Sequence, residues 1–290
     1  MDYQIQNDQI SLLVSSIGAE MQSLKKDGSE YLWNGDRRYW EDKSPMLFPF
    51  VGRLTDGKYS LNGTQYSMGI HGFARFMDYD VTEQSDDRIV FEIKDTDETY
   101  ALYPYHFLLR ISYELDANSI KIGYYVENQS DKAMYFGIGG HPGFRVPLDE
   151  NLAFHDYYLE FPQKTRPDRV GFTQTCYLNG INEVFPLKDE KILPMSHDMF
   201  DEDAIVLQNV CREVTLKSDK GHRKVTVSYP QCPYIGFWHM PKTDAPYICI
   251  EPWASLPSRQ DIIEEFNEKS DMIQLLPGAE YKNNWCIILE

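Results

Sequence analysis

The chain is dominated by short segments in which apolar and polar residues alternate, the period expected of strands with one buried face. Five segments show this alternation and predict strands: IVFEI (89–93), FLLRISYEL (107–115), SIKIGYYVEN (119–128), KVTVSY (224–229) and WCIIL (285–289). Aromatic residues make up 14% of the chain, which suits half-buried pleated surfaces. The pattern therefore predicts an all-β protein.

Dipeptides typical of tight turns separate the apolar segments, and each has glycine in second place. They are Asp27-Gly28, Asn34-Gly35, Asp56-Gly57, Asn62-Gly63, Asn179-Gly180 and Pro277-Gly278. Helical patterns are few, and the best is SRQDIIEEFNEKS (258–270), with Ser258 as an N-cap. With no internal repeat and no linker, we predict one domain over residues 1–290, a large antiparallel β-sandwich with few short helices.

The net charge of the chain limits the kinds of molecule that it can be expected to bind. A formal net charge of -17 disfavours nucleic acid, since a nucleic-acid-binding protein needs a basic surface to displace counterions, and it disfavours an anionic membrane as well. No apolar run approaches the roughly 20 residues of a membrane span, and the N-terminal stretch MDYQIQNDQI lacks the features of a signal peptide. We therefore expect a cytoplasmic protein, although a local arginine pocket would still allow a small anionic ligand.

Cysteine and histidine spacing gives no sign of a metal site. The five cysteines are scattered without a CxxC pair, so we expect buried thiols rather than disulfides or structural zinc. The seven histidines show neither HxH nor HExxH spacing, and no GxSxG elbow is present. We expect no metal ion.

The stretch FGIGGHPGF (136–144) is the first candidate for function. It lacks the strand-then-helix context that a dinucleotide-binding glycine loop needs. Two interpretations stay open: an ordinary tight turn, or a frame that presents His141 to a ligand. Glycines would allow close approach of a ligand to the backbone, and Pro142 would stiffen the position after the histidine.

Three more stretches carry chemically capable side chains. His71 lies in SMGIHGFARF and Arg53 ends PMLFPFVGR, where each is either a structural residue or a group that holds a polar ligand. Glu251 stands in ICIEPW, at the predicted end of a strand, and is either a solvent-facing glutamate or a general acid or base with a raised pKa. Trp238, in GFWHMPK, could stack on the apolar face of a sugar ring.

The order of these motifs resembles the aldose 1-epimerase, or galactose mutarotase-like, superfamily, and most closely its lactose-operon LacX-type branch. The chain runs from FPFVGR through HGFAR and GGHPGF to IEPW, and YPYHFLLRISYEL and LLPGAEYKNNWCIIL also resemble family segments. The similarity spans nearly the whole chain. It implies a large β-sandwich with an open sugar cleft and the interconversion of α and β anomers without a cofactor.

The resemblance also implies roles for single residues. His141 matches the family's general acid and Glu251 its general base, while Arg53 and His71 match positions that hold the oxygens of the sugar. Asp203, in DEDAIVL, matches an acidic residue that binds sugar hydroxyls.

Interconversion of sugar anomers requires the same residue types. Opening a pyranose removes a proton from the C1 hydroxyl and protonates the ring oxygen, which one carboxylate and one imidazole on opposite sides of that centre can do. Trp238 is expected to line the cleft because of its type and position.

Two departures from the family pattern leave the substrate open. Gly52-Arg53 stands where galactose mutarotases carry Asn-Arg. Arg75 is shared with hexose-6-phosphate mutarotases, where it helps to bind phosphate, yet their Arg-Gly-Gly element is missing and only Lys43 lies loosely nearby.

Arg75 is therefore either a phosphate ligand or half of a structural ion pair. The expected partner is a small-molecule sugar or sugar phosphate, and the oligomeric state is open. The other possible functions are a carbohydrate-binding or sensing protein without turnover, and a lyase or hydrolase on the same scaffold.

Overall fold

Strands account for 44% of the computed structural model, which describes residues 1–290, and helices for 7%. In chain order the first strands are β1 (Asp2–Gln6), β2 (Ile10–Ser15), β3 (Met21–Lys26), β4 (Ser29–Glu30), β5 (Met46–Leu47), β6 (Lys58–Leu61), β7 (Thr64–Ser67), β8 (Asp80–Gln84), β9 (Arg88–Lys94), β10 (Phe107–Asp116), β11 (Ser119–Asn128) and β12 (Met134–Phe136). The remaining strands are β13 (Gly139–Gly140), β14 (Gly143–Arg145), β15 (Tyr158–Glu160), β16 (Asp168–Arg169), β17 (Glu183–Val184), β18 (Ile192–Pro194), β19 (Ile205–Gln208), β20 (Glu213–Lys217), β21 (Val225–Ser228), β22 (Tyr234–Trp238), β23 (Tyr247–Trp253), β24 (Ile273–Leu275) and β25 (Glu280–Leu289).

Two large antiparallel sheets contain most of these strands. The nine-stranded sheet has the order β18-β15-β20-β21-β25-β11-β10-β9-β8. The eight-stranded sheet has the order β17-β16-β19-β22-β23-β13-β5, with β14 also paired to β23. Smaller sheets are formed by β1 to β4, by β6 with β7, and by β12 with β24.

One hydrophobic core joins the two large sheets. Its 65 buried residues run from Ile5 to Leu289 in the sequence. Ile122 enters it from the nine-stranded sheet and Ile250 from the eight-stranded sheet, and both are fully buried. Each such side chain stabilises the fold by roughly 1.5–3 kcal/mol. The predicted all-β sandwich is confirmed, and the single domain over residues 1–290 stays a prediction that this shared core supports.

The five strands predicted from alternation all lie in the nine-stranded sheet, as β9, β10, β11, β21 and β25. In β10 the buried side chains at Leu109, Ile111 and Tyr113 alternate with half-buried ones, as the period of two requires. All six glycines of the predicted turns have φ between 65° and 80°, the left-handed region that favours glycine. These predictions from local sequence are confirmed.

The predicted helix over 258–270 is wrong, because the segment forms turns and isolated bridges. Its backbone bonds to other parts of the chain: the amide of Ser60 donates to the carbonyl of Glu264, and the amide of Phe266 donates to that of Ser60. The side chain of Phe266 stacks on Tyr59 with 3.7 Å between ring centroids. Ser258 is fully buried and caps no helix. Tertiary contacts override the local helical preference here.

The only α-helix is α1 (Asp97–Leu102), which the sequence analysis did not predict. Thr96 and Thr99 form a capping box at its start, in which each side chain bonds to the backbone amide of the other. Short 3₁₀ turns occupy Thr55–Gly57, Ala74–Phe76, Phe154–Asp156 and His197–Phe200. None of the helices has the length and apolar character that crossing a lipid bilayer requires.

Candidate active site

A cleft of about 260 Å³ opens on the face of the eight-stranded sheet that points away from the core. All seven residues singled out from the sequence line it, although they lie up to 198 positions apart (Arg53 to Glu251): Arg53, His71, Arg75, His141, Asp203, Trp238 and Glu251. The fold therefore brings the predicted set together in one place.

Strand β23 carries Glu251 to the floor of this cleft. Side chains alternate between the two faces of β23. Ile248 and Ile250 point into the sandwich core, so Cys249 and Glu251 point to the opposite face. Gly236 is the cross-strand partner of Glu251, and a Cβ on that glycine would lie 3.3 Å from the Cβ of Glu251. Glu251 was predicted to end its strand, whereas β23 continues to Trp253.

His141 lies between β13 and β14, the two short strands formed by FGIGGHPGF. The glycines of this stretch are needed for packing against aromatic rings. A Cβ on Gly140 would meet the ring of Trp285 at 2.7 Å, and one on Gly143 would meet Trp40 at 3.0 Å. The expectation that the glycines make room for a ligand is wrong at these two positions. The loop nevertheless directs the imidazole into the cleft, as the frame interpretation requires.

His141 and Glu251 are in direct contact. The Nε2 atom of His141 lies 3.2 Å from Oε2 of Glu251, and the indole N–H of Trp253 donates to the same carboxyl oxygen at 3.2 Å. The side chain of Glu251 is 1% exposed and that of His141 is 10% exposed. Nδ1 of His141 is buried and has no hydrogen-bond partner.

Burial drives the pKa values of this pair in opposite directions. Burial raises the pKa of Glu251 well above 4.5, and the Asp203 carboxylate adds to the rise while the Trp253 hydrogen bond opposes it. Burial lowers the pKa of His141 from 6.5 to about 3, and Arg75 adds to the fall. Since burial disfavours both charged forms, the ligand-free protein holds a carboxyl group and a neutral imidazole facing each other, with 3.2 Å between Nε2 and Oε2.

His71 and the segment that ends at Arg53 are fastened to each other. The amide of Gly52 donates to Nδ1 of His71 at 3.1 Å, and the amide of His71 donates to the carbonyl of Gly52 at 2.9 Å. With Nδ1 accepting, the ring proton of the neutral imidazole is on Nε2. Burial holds the pKa of His71 well below 6.5, and His141 and Arg75 lower it further. The ring of His71 lies 5.4 Å from that of His141, edge to face.

The two arginines of the cleft differ in their partners. Arg75 forms a largely buried ion pair with Asp42, and its guanidinium lies 4.9 Å from the ring centroid of Phe76. Arg53 is exposed and forms no salt bridge, which leaves its guanidinium available to a ligand. The ion pair predicted as one alternative for Arg75 is therefore present.

Asp203 and Trp238 complete the predicted set. The Asp203 carboxylate accepts hydrogen bonds from the amide of Ala204 at 2.8 Å and from the thiol of Cys176 at 2.7 Å. The ring of Trp238 packs edge to face on His141 at 5.7 Å and on Trp40 at 5.5 Å. Aromatic faces therefore flank the imidazole, as is common in sugar clefts.

The family model for aldose 1-epimerases matches residues 1–285. The chain belongs to the aldose 1-epimerase family. The chromosomal LacX protein of Lactococcus lactis subsp. lactis is 30% identical over 298 aligned positions, which cover 100% of this chain and 99% of that protein. Membership indicates a sugar epimerase or mutarotase and confirms the resemblance to the LacX-type branch.

Solved structures of the aldose 1-epimerase family share the whole fold. A galactose mutarotase related enzyme from Lactobacillus acidophilus has a TM-score of 0.95 and 34% identity, over 100% of this chain and 97% of that one. A galactose mutarotase-like protein from Lactobacillus casei ATCC 334 has a TM-score of 0.95 and 30% identity, over 100% of both chains. A galactose 1-epimerase from Lactobacillus acidophilus NCFM, at 14% identity and a TM-score of 0.75, shares the fold.

Sequence reasoning missed several residues of this cleft. Trp253 lies within the IEPW motif and could have been found there, since an indole N–H needs an acceptor when buried. Trp40 and Cys176 lie in stretches without a recognisable motif, and only the fold brings them to the cleft. Asp42 likewise becomes relevant only as the partner of Arg75.

One group of side chains has the atom types of a metal site. Ligand atoms of His141, Cys249 and Glu251 lie within 4.8 Å of one another, and all three residues are buried. Binding zinc would require a thiolate at Cys249, yet burial raises the pKa of that thiol well above 9.0. Nε2 of His141 also already lies against the Glu251 carboxyl group, 3.2 Å from Oε2. This arrangement fits a proton-transfer pair better than a metal centre.

Proposed function

We propose that the protein is an aldose 1-epimerase that interconverts the α and β anomers of an aldohexose by acid–base ring opening in this cleft. The observation that carries the proposal is the 3.2 Å contact between His141 and Glu251, two groups 110 positions apart that share one sugar-sized hollow. The two reacting oxygens of a pyranose are bonded to the same carbon. A carboxyl group and an imidazole this close can reach both of them.

In the ring-opening step Glu251 acts as base and His141 as acid. The Glu251 carboxylate takes the proton of the C1 hydroxyl, the O–H electron pair forms the C=O bond, and the bond from C1 to the ring oxygen breaks. The imidazolium of His141 delivers its proton to the ring oxygen. After rotation about the C1–C2 bond the same transfers run backwards and close the ring on the other face, so the protein is unchanged.

A single proton is enough for this cycle. In the ligand-free protein the carboxyl group of Glu251 holds it, because burial disfavours the charged pair. Transfer across the 3.2 Å contact gives the carboxylate and imidazolium that ring opening uses. The hydroxyl groups of a bound sugar can solvate that charged pair, which burial otherwise disfavours.

The other cleft residues hold and orient the sugar. We assign Arg53 and the Nε2–H of His71 to the sugar oxygens, where they also stabilise developing charge on oxygen. Asp203 accepts hydrogen bonds from sugar hydroxyls, and Trp238 packs on an apolar face of the ring. Arg75 lowers the pKa of His141, which makes the imidazolium a stronger acid.

The charges of the cleft favour a neutral hexose. The guanidinium of Arg75 is already paired with Asp42, and Lys43 donates to the backbone carbonyl of Gln22. Glu202 and Asp203 add two carboxylates to the lining. A phosphate group would meet no concentration of positive charge here.

Hexose-6-phosphate remains a second candidate because Arg53 is a guanidinium without a carboxylate partner. The comparison that decides is the rate of anomerisation of glucose, galactose and their 6-phosphates, measured side by side by saturation-transfer NMR of the anomeric protons. We expect the neutral sugars to be exchanged faster. A preference for the 6-phosphates that Arg53→Gln abolishes would reverse the assignment.

Two further measurements, polarimetry and a reducing-end assay, separate the enzyme from other functions. A carbohydrate-binding or sensing protein would bind sugar without accelerating polarimetric relaxation, and a lyase or hydrolase would release reducing ends from an oligosaccharide. His141→Gln gives a further check, since it keeps the size of the side chain and removes the acid. We expect it to slow exchange about 10²-fold or more while sugar still binds.

A further inference from the structure

The cleft contains a thiol that the acid–base chemistry does not use. Cys176 lies in a short loop that the bridge between Phe172 and Leu178 closes. Its side chain lines the cleft, and its sulfur lies 2.7 Å from Oδ2 of Asp203. From the sequence, the cysteines were expected to be small buried apolar residues, whereas the thiol of Cys176 is half-buried and bonds to a carboxylate.

Two neutral donors hold the Asp203 carboxylate. The thiol of Cys176 binds Oδ2, the amide of Ala204 binds Oδ1, and Asp203 forms no salt bridge. Each carboxylate oxygen has two lone pairs, so each keeps one free for a further donor. The carboxylate is thus fixed in direction while its charge and two acceptor positions remain open to the cleft.

The thiol is a donor and a poor nucleophile. Burial raises the pKa of Cys176 to about 12, and the adjacent Asp203 carboxylate adds to the rise. The proton therefore stays on sulfur at neutral pH. A thiolate in this position would repel the carboxylate, whereas the S–H group binds it.

The backbone at both residues is held in an uncommon conformation. Cys176 has φ of 64° and Asp203 has φ of 74°, the left-handed region that few non-glycine residues adopt. The amide of Cys176 donates to the carbonyl of Thr173 at 3.0 Å, and that of Asp203 donates to the carbonyl of Phe200 at 2.9 Å. The hydroxyl of Thr173 bonds to Gln260, which ties this loop to the chain segment that follows β23.

We propose that Cys176 is a positioning residue whose thiol hydrogen bond directs the Asp203 carboxylate toward two adjacent hydroxyl groups of the bound sugar. The inference rests on the proposed function for the identity of the ligand. It assigns to the cleft a preference for sugars with a vicinal diol, because two free lone pairs on one fixed carboxylate match two neighbouring O–H donors.

The first test compares Cys176→Ala with Cys176→Ser. Removing the donor should raise KM about tenfold with kcat changed less than about twofold, because a hydrogen bond to a charged group is lost from binding. Serine restores an O–H donor and should bring KM back to within about twofold of the wild type. Cys211→Ala is the matched control, since that cysteine is also half-buried and lies outside the cleft. An alanine variant with unchanged KM, or a serine variant no better than alanine, would overturn the proposal.

Deoxy sugars extend the test to the ligand. A sugar that lacks a hydroxyl bound by Asp203 should bind the wild type and Cys176→Ala almost equally, while the parent sugar and sugars lacking other hydroxyls keep the tenfold difference. Equal sensitivity across the whole deoxy series would show that Cys176 acts only on general cleft structure and would contradict the proposal.

Sugar affinity, measured by calorimetry, gives a readout that needs no turnover. Cys176→Ala should weaken sugar binding about tenfold, while Cys176→Ser and Cys211→Ala should bind within about twofold of the wild type. Absence of anomer exchange in the wild type would refute the proposed function alone, because these affinities can still be measured. Sugar binding that Cys176→Ala leaves unchanged would refute the role of Cys176.

Discussion

The two large sheets of this protein differ in the length of their strands and in the regularity of their pairing. The nine-stranded sheet contains long strands such as β10 and β11, of ten residues each, paired in unbroken register. The eight-stranded sheet is built of strands of two to seven residues, and its cleft face carries buried ionisable groups with strained loops around it. Regular pairing is concentrated in the first sheet, and the irregular second sheet carries the groups to which we assign the proposed chemistry.

The largest expected effect comes from the cleft. We expect Glu251→Gln to slow anomer exchange about 10²- to 10⁴-fold while the variant folds normally, because glutamine keeps the size and loses the proton transfer. Saturation-transfer NMR measures the exchange, and circular dichroism measures the fold. Exchange as fast as in the wild type would remove Glu251 from the mechanism.

The same variant should reveal what the buried carboxyl group costs in stability. The unfolded chain releases the Glu251 proton above pH 4.5, whereas the folded protein keeps it because its pKa is raised. The contribution of Glu251 to the stability of the wild type therefore falls by about 1.4 kcal/mol per pH unit from 4.5 up to the folded pKa. Glu251→Gln lacks this loss, so its advantage in urea unfolding should grow as the pH rises through this window. A constant gap between the two proteins would contradict the raised pKa.

A pair of methyl deletions compares the sheets directly. Ile111→Val in β10 and Ile250→Val in β23 remove the same group from fully buried positions. Each should cost roughly 0.5–1.5 kcal/mol of unfolding free energy. We expect kcat to fall only for Ile250→Val, since Ile250 precedes Glu251. Equal effects of both changes on kcat would break the division between scaffold and site.

The smallest effect is expected on the outer face of the nine-stranded sheet. Nε of Arg110 lies 2.6 Å from Glu92 in a half-exposed ion pair. Arg110→Gln should cost less than about 1 kcal/mol and leave exchange unchanged. A loss of exchange would show that this face also takes part in function.

The contrast between the sheets explains what sequence reasoning could reach. Alternation found β10, β11 and β25 because ten residues make the period of two visible, and it also found the shorter β9 and β21. It could not find β13, of two residues, or the strands at the far edge of the eight-stranded sheet. The helix predicted over 258–270 failed for the related reason that long-range bonds replaced local ones.

The residues of the candidate site were predicted in a different way from the strands. His141 and Glu251 were found through motifs that resemble a family, and no local pattern would have predicted their 3.2 Å contact. Cys176 belongs to no motif, and its proposed role depends on a hydrogen bond to Asp203, which is 27 positions away. Residues whose role is set by a distant partner become visible only when the fold places that partner beside them.

The distribution of tryptophans has a practical consequence. Three of the five, Trp40, Trp238 and Trp253, line the cleft, while Trp285 is buried in the core of the nine-stranded sheet. Indole emission responds to the polarity of its surroundings and to nearby quenching groups. The molecule thus contains its own optical reporters, so that ligand titration and unfolding can be followed by fluorescence without attaching a dye.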